Sequence, residues 1–154
     1  MYHYTESGLD NVWLENGFNV MKTPYGKAVS IDDADGLHEL LATELANKAG
    51  KLKAKEFRFL RTMLCLSQQS FAHMHGVTEQ AVSLWERTGK IPTSADVMLR
   101  MLVLERLNGD GKITEIINRT NTVERLVNQQ IVATETNHKW SSKAQPEKPE
   151  LVAA

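Results

Sequence analysis

From Thr78 to Lys90 the chain carries side chains whose donors and acceptors suit the edges of nucleic-acid bases and the oxygens of phosphates. Gln80 presents a primary amide, which can pair bidentately with adenine N6 and N7. Glu79 can accept from cytosine N4, although an acid in a first helical turn also simply complements the helix dipole. Thr78 can donate its hydroxyl to a phosphate or serve only as a cap. Ser83 and Leu84 continue along the same side, and Leu84 can meet a thymine methyl. Arg87 suits guanine or phosphate, and Lys90 suits phosphate. Lys51, Lys53 and Lys55 gather at the entrance of an earlier helical pattern. Positive charge there opposes the macrodipole, so phosphate contact explains them better than helix stability does; a solvated basic hinge is the rival reading.

These groups are useful only if two helices hold them. Ser67 is a good N-cap for a helix that buries Phe71 and Ala72. Gly76 falls where that helix must stop and the backbone needs positive φ. Val77 plugs the core beneath the turn, and Thr78 caps the next helix. In that helix Val82 and Trp85 form one apolar stripe, and small Ala72 lets Val82 approach. Glu79, Gln80, Ser83 and Arg87 are left facing outward. Two short helices bent about a glycine in this register are the layout of a helix-turn-helix.

Residues 54–107 resemble the helix-turn-helix domain of the Cro/cI-repressor class, the XRE family. The matching residues are Phe59-Leu-Arg61, Leu66-Ser-Gln68, Phe71-Ala72, Gly76-Val77-Thr78, Ala81-Val82-Ser83, Trp85-Glu86-Arg87 and Lys90-Ile-Pro92. His75 departs from the family's usual Leu, and Thr88 from its common Gly. The resemblance implies a five-helix domain in which Gln68 touches the DNA backbone and braces the reading helix, with Gln69 beside it. It also implies a structural ion pair between Arg61 and Glu86. A second, weaker likeness is to zinc-binding antitoxins, in which a front module grips a toxin and a rear helix-turn-helix represses the operon. The paired cysteines that hold zinc in that family are missing here, so the metal is not carried over.

The remaining pattern is predicted as follows. A first helix spans Lys53 to Cys65, with Phe57, Leu60 and Leu64 as its seam. Thr93 or Ser94 caps a helix carrying Val97, Met98, Met101, Leu102, Leu104 and Leu107, buried on more than one side. The Asn108-Gly-Asp-Gly111 turn lacks the closing Glu of a calcium loop and reads as a helix end. Ile113, Ile116 and Ile117 begin another short helix. Residues 1–50 read as a separate module: β runs at Val12–Leu14, Phe18–Met21 and Ala28–Ile31 with Tyr2–Thr5 as a further edge, then a helix from Leu37 to about Lys48. Ala49-Gly-Lys51 reads as a hinge into the DNA-binding domain, 51–121. Thr122 caps a C-terminal helix to residue 135, apolar along Val123, Leu126, Val127 and Ile131; this helix and the front β unit are the two candidate dimer contacts. Residues 136–154, with three Lys, two Glu and two Pro, read as a disordered tail. The expected class is mainly α, with a small antiparallel β unit in front.

Composition excludes much else. The 154 residues, 42% hydrophobic and 24% charged, describe an ordinary globular chain. The single cysteine, Cys65, precludes an internal disulfide or a cysteine zinc finger and reads as a packed thiol. No run approaches the roughly 18 apolar residues needed to cross a bilayer, and the start is no signal peptide, so the cytoplasm is expected. The net charge of −1 is uneven: residues 1–50 hold 3 Lys and 8 acids, whereas residues 51–121 hold 11 basic groups and 7 acids. A basic middle behind an acidic front fits phosphate binding by the middle alone. His73 and His75 are two apart and diverge on a helix; His3, His38 and His138 are scattered. No HExxH, GxSxG or phosphate loop is present, so neither catalysis, cofactor nor metal is expected. The reading is a homodimeric repressor of a palindromic operator in double-stranded DNA. An antitoxin-like protein that binds a protein partner through the acidic front module is the alternative.

Overall fold

A computed structural model of the chain describes residues 1–109, 114 and 129–146, arranged in two compact units, Met1–Glu115 and Ile116–Ala154. In the first, β1 (Tyr2–His3) pairs antiparallel with β2 (Trp13–Leu14), and β3 (Phe18–Thr23) with β4 (Gly26–Ile31). Five helices follow: α1 (Ala34–Ala46), α2 (Ala54–Met63), α3 (Gln68–His75), α4 (Glu79–Thr88) and α5 (Thr93–Asn108). The second unit contains a hairpin of β5 (Gln129–Thr136) and β6 (Lys139–Pro146). The class is therefore mixed helix and sheet rather than mainly α. Among the described residues no helix is long and apolar enough to cross a membrane.

Local signals account for most boundaries. Ser67 Oγ accepts from the Ser70 N–H at 3.0 Å and opens α3, and Thr78 Oγ1 accepts from Ala81 at 3.2 Å and opens α4. Gly76, at φ 73°, closes α3 in the left-handed region that costs Gly no Cβ clash. Gly109, at φ 89°, ends α5, so the Asn108-Gly109 stretch is a helix stop. Neither Thr93 nor Ser94 caps α5: Pro92 occupies the cap position without a side-chain bond, and Ser94 Oγ lies 3.3 Å from His75 Nε2.

The core lies among the helices. Phe57, Leu60, Phe71, Val82 and Leu99 are fully buried, and Phe57 meets both Phe71 and Trp85 edge to face, at ring centroid distances of 5.3 and 6.3 Å. α5 buries Ala95, Leu99, Leu102 and Val103 but leaves Val97 and Met101 half exposed. Leu64, expected in the α2 seam, is only partly covered, because α2 ends at Met63 and the chain turns outward. That turn places Cys65 at φ 56° with its side chain exposed, so the thiol is not packed as expected.

Residues 1–50 do not form a separate module. α1 packs on α2 and α5, burying Ala42, Leu45 and Ala46. Tyr4 is buried, its hydroxyl 2.8 Å from His38 Nε2, and His38 in turn sets its ring edge-on to Phe59. The expected hinge is pinned. Arg100 Nη1 donates to the Lys48 carbonyl at 2.6 Å and Nη2 to the Gly50 carbonyl. Asp96 pairs with Arg100 at 2.7 Å and accepts from the Leu52 N–H at 2.7 Å. Glu56 accepts from the Lys53 N–H and pairs with Lys48 at 2.6 Å, closing the start of α2. A flexible linker would leave these carbonyls to water; here an ion pair buried on α5 satisfies them.

The C-terminal expectations are also corrected where they can be seen. Residues 129–135 form a strand, not the end of a helix from Thr122, and 139–146 form its partner rather than a disordered tail. The cause is the turn: Asn137 and His138 both take positive φ, 53° and 61°, as a two-residue hairpin of type I′ demands, and Asn adopts it readily. Val132, Thr134 and Thr136 then suit a strand. The short helix at Ile113–Ile117, apart from Thr114, the start of the Thr122 helix and residues 147–154 lie outside the described residues.

The clamp gives a first test. Asp96→Ala removes the acceptor of a buried N–H and the partner of Arg100, so unfolding free energy should fall by about 3 kcal/mol, against clearly less for Asp96→Asn, which keeps an acceptor. Urea denaturation of both variants checks this, and equal, small losses would contradict it.

Candidate nucleic-acid interface

The turn between α3 and α4 is fastened from below. Arg61 on α2 donates from Nε to Glu86 Oε2 at 3.0 Å and from Nη2 to Glu86 Oε1 at 2.8 Å, a bidentate pair. Its third nitrogen, Nη1, donates to the Leu66 carbonyl at 2.8 Å, just before α3. Gln68 Nε2 adds a bond to Glu86 Oε2 at 3.3 Å. One guanidinium thus joins α2, the entrance of α3 and the last turn of α4. The side chains of Arg61 and Glu86 are 11% and 5% exposed, so the charges are matched out of water rather than at a solvated surface.

Above this lock α4 shows two unlike faces. Val82 and Trp85 are buried, and Ala72 on α3 lies against the crossing at 2% exposure. On the other side Thr78, Glu79, Gln80, Leu84 and Arg87 are exposed, with Ser83 half-buried among them. Gln80, Ser83, Leu84 and Arg87 stand three, four and seven residues apart and so share one helical face. Leu84 keeps 49% exposure, unusual for a Leu beside a filled core. The Thr78 hydroxyl accepts from Ala81, which leaves its own proton free to donate.

Gly89, at φ 74°, ends α4, one residue beyond Thr88. Thr88 extends the helix, its hydroxyl donating to the Leu84 carbonyl at 2.8 Å. Lys90 follows in the exposed loop. A Cβ at residue 89 would lie 3.9 Å from the Ala54 Cβ, so the end of α4 runs beside the start of α2. Lys55, in that first turn, is 3.4 Å from Asp10 Oδ2, and both are well exposed, so its charge already has a loose partner. Gln69 is exposed in the first turn of α3, whereas Gln68 is committed to Glu86. Glu79, Gln80, Ser83, Leu84 and Arg87 therefore share the outer face of α4, and Arg61 and Glu86 lie beneath it.

His75 has a role that sequence reasoning did not identify. Its ring stacks on Phe71 at 5.8 Å and meets the edge of Trp85 at 6.2 Å, while Nδ1 is 3.0 Å from Met98 Sδ. It is the polar plug that joins the end of α3 to α5. Burial pushes its pKa below the ordinary 6.5. The readable signal was its place one residue before Gly76, at the close of a short helix that packs on an aromatic core. Asp96 and Glu56 were likewise missed: a first-turn acid is legible as a dipole partner, but its distant N–H acceptor role is not.

No family model matches the chain, and neither does any curated protein or solved structure.

Two tests follow from this geometry. Glu86→Ala strands a largely buried guanidinium and should cost about 3 kcal/mol of stability, whereas Gln80→Ala on the open face should stay within about 0.5 kcal/mol. Comparable losses in urea would show that the two faces are not distinct. For His75 the neutral form is the one the fold favours. The unfolded chain therefore takes up the proton first as pH falls, and stability declines from about pH 6.5 downward until the folded pKa is passed. His75→Leu should flatten that decline between about pH 7 and pH 5; parallel stability curves would refute it.

Proposed function

We propose that the protein is a sequence-specific DNA-binding regulator, with residues 54–107 as a Cro/cI-type helix-turn-helix domain and α4 as the reading helix. The observation that carries this reading is the split of α4. Its inner face is locked by Arg61–Glu86 and the aromatic cluster, and its outer face offers Gln80, Ser83, Leu84 and Arg87 with no intramolecular duty among the described contacts. Helix-turn-helix proteins use such a face in the major groove, where an amide reads adenine and a guanidinium reads guanine. Gln80 is assigned to base reading, with Glu79 and Arg87 beside it. Thr78, Gln69 and Lys90 are assigned to phosphates. Gln68 braces Glu86 and so holds α4 in position.

One such unit touches few base pairs. Two copies on a two-fold axis read half-sites about 10 bp apart, or a multiple of that, which adds the missing contacts without a second motif. The proposed molecule is therefore a homodimer on a palindromic operator. It acts in the cytoplasm and represses by occupying the site.

Selection of bound fragments from random and genomic DNA at about 0.15 M salt, where nonspecific phosphate binding is weakened, tests the reading. A recovered palindrome is expected. A folded protein that enriches no sequence would overturn the proposal. The roles separate in the same assay: Gln80→Ala should relax preference at one base position, while Lys90→Ala should weaken all sequences alike and reduce the salt slope by about one.

A further inference from the structure

The β3–β4 hairpin is left uncovered by the body that carries it. Its foot is tied down: the Asp32 N–H donates to the Gly17 carbonyl at 2.8 Å, Asn19 donates to Asp32 at 3.2 Å, and Phe18 meets the ring of Tyr2 at 5.3 Å. Beyond the foot every β3 residue is exposed, with Val20 at 54%, Met21 at 57% and Tyr25 at the tip fully open. Two strands alone are marginal in water, and a sheet face with uncovered apolar residues marks a contact surface. The register puts Phe18, Val20 and Lys22 opposite Ile31, Val29 and Lys27, so one face runs from apolar near the foot to cationic at the tip.

The charges are segregated in the same direction. Residues 16–31 contain two lysines and no acid, although the first fifty residues are otherwise acidic. Lys22 and Lys27 are directly opposed, an arrangement that weakens a hairpin unless a counter-charge arrives from elsewhere. At the foot stand Glu15, Asp32, Asp33 and Asp35, all exposed. Among the described residues none of these six charges makes an ion pair. Tip and foot are about 17 Å apart along the strands. An object with an apolar middle, a basic end and an acidic end is complementary to its own copy turned end over end.

We infer that the β3–β4 hairpin is the self-association surface of the protein: it docks on the same hairpin of a second copy, antiparallel, with Val20 and Val29 covered and Lys22 and Lys27 set against the acids at the partner's foot. Such a contact is isologous and closes after two copies. It rests on the regulator reading only for its purpose, since it supplies the two-fold axis that palindrome recognition requires. The area is small for a stable interface, so the dissociation constant is expected to be on the order of micromolar.

Sedimentation of the full chain without DNA tests the contact independently of any operator. The wild type should be dimeric at about 50 µM and dissociate on dilution. Lys22→Glu with Lys27→Glu should weaken association by about tenfold or more, and so should Glu15→Lys with Asp35→Lys. Mixing the two variants should restore a heterodimer, because the reversed tip of one then meets the reversed foot of the other while the remaining tip and foot keep their native charges. That rescue distinguishes a charge-matched interface from a damaged fold. Val20→Asp, with the helical signal unchanged, should also be monomeric. A monomeric wild type at that concentration overturns the inference, as do variants that all remain dimeric. If dimers persist while the lysine reversals cost DNA affinity and about two units of salt slope, the tip is a phosphate contact and the inference is wrong. Failure to enrich an operator leaves these sedimentation results standing and counts only against the regulator reading.

Discussion

The arrangement of α2, α3 and α4 depends on one guanidinium. Arg61 on α2 spends three nitrogens, two on Glu86 of α4 and one on the Leu66 carbonyl at the entrance of α3. A hydrophobic pair of similar volume would bury as much surface, but it would not specify the angle at which α4 leaves the turn. A planar fork meeting a planar carboxylate does specify it, because both bonds must be made at once. Gln68 adds a third donor to the same carboxylate and so couples the start of α3 to the last turn of α4. The exposed face of α4 is a consequence: with the inner side committed, the remaining side chains have nowhere else to point.

A second buried charge organises the other end of the helices. Asp96 and Arg100 lie on α5 but act on the chain between α1 and α2, satisfying the carbonyls of Lys48 and Gly50 and the Leu52 N–H. This converts a Gly-containing link into a fixed corner and makes α1 part of the same core as α2 and α5. Front strands and helices are therefore one unit, and motion of the front segment as a free arm is not available to the fold. Within the described part of this unit, the β3–β4 hairpin stands clear of this packing.

The turn region shows how a departure from an apolar pattern can be accommodated. A Leu at residue 75 would fill the same space with no titration. The imidazole fills it too, using its face on Phe71, its edge on Trp85 and its nitrogens on Ser94 and Met98. The cost is a dependence on protonation that an aliphatic side chain would not have.

Caps and turns were legible from the chain alone because their physics is local. Ser67, Gly76 and Thr78 act on backbone groups within three residues, so their spacing determines where α3 and α4 begin and end. The Val82 and Trp85 stripe likewise determines which face of α4 is buried, and with it the candidate surface at Gln80, Ser83, Leu84 and Arg87. What local pattern left open, tertiary contacts decided. The division at residue 50 failed because a Gly-containing link is mobile only if nothing holds its carbonyls, and Arg100, which holds them, lies 50 residues beyond Gly50 in the sequence. The helix expected through residue 135 failed because an i, i+4 apolar spacing does not exclude a strand, and the Asn137–His138 turn supplied a pairing partner. Cys65 was expected to pack between two leucines, but the end of α2 turned it outward. In each case sequence spacing sets what a residue can do nearby, whereas the long-range partner is chosen by whichever buried polar group or strand edge is still unsatisfied when the chain closes on itself.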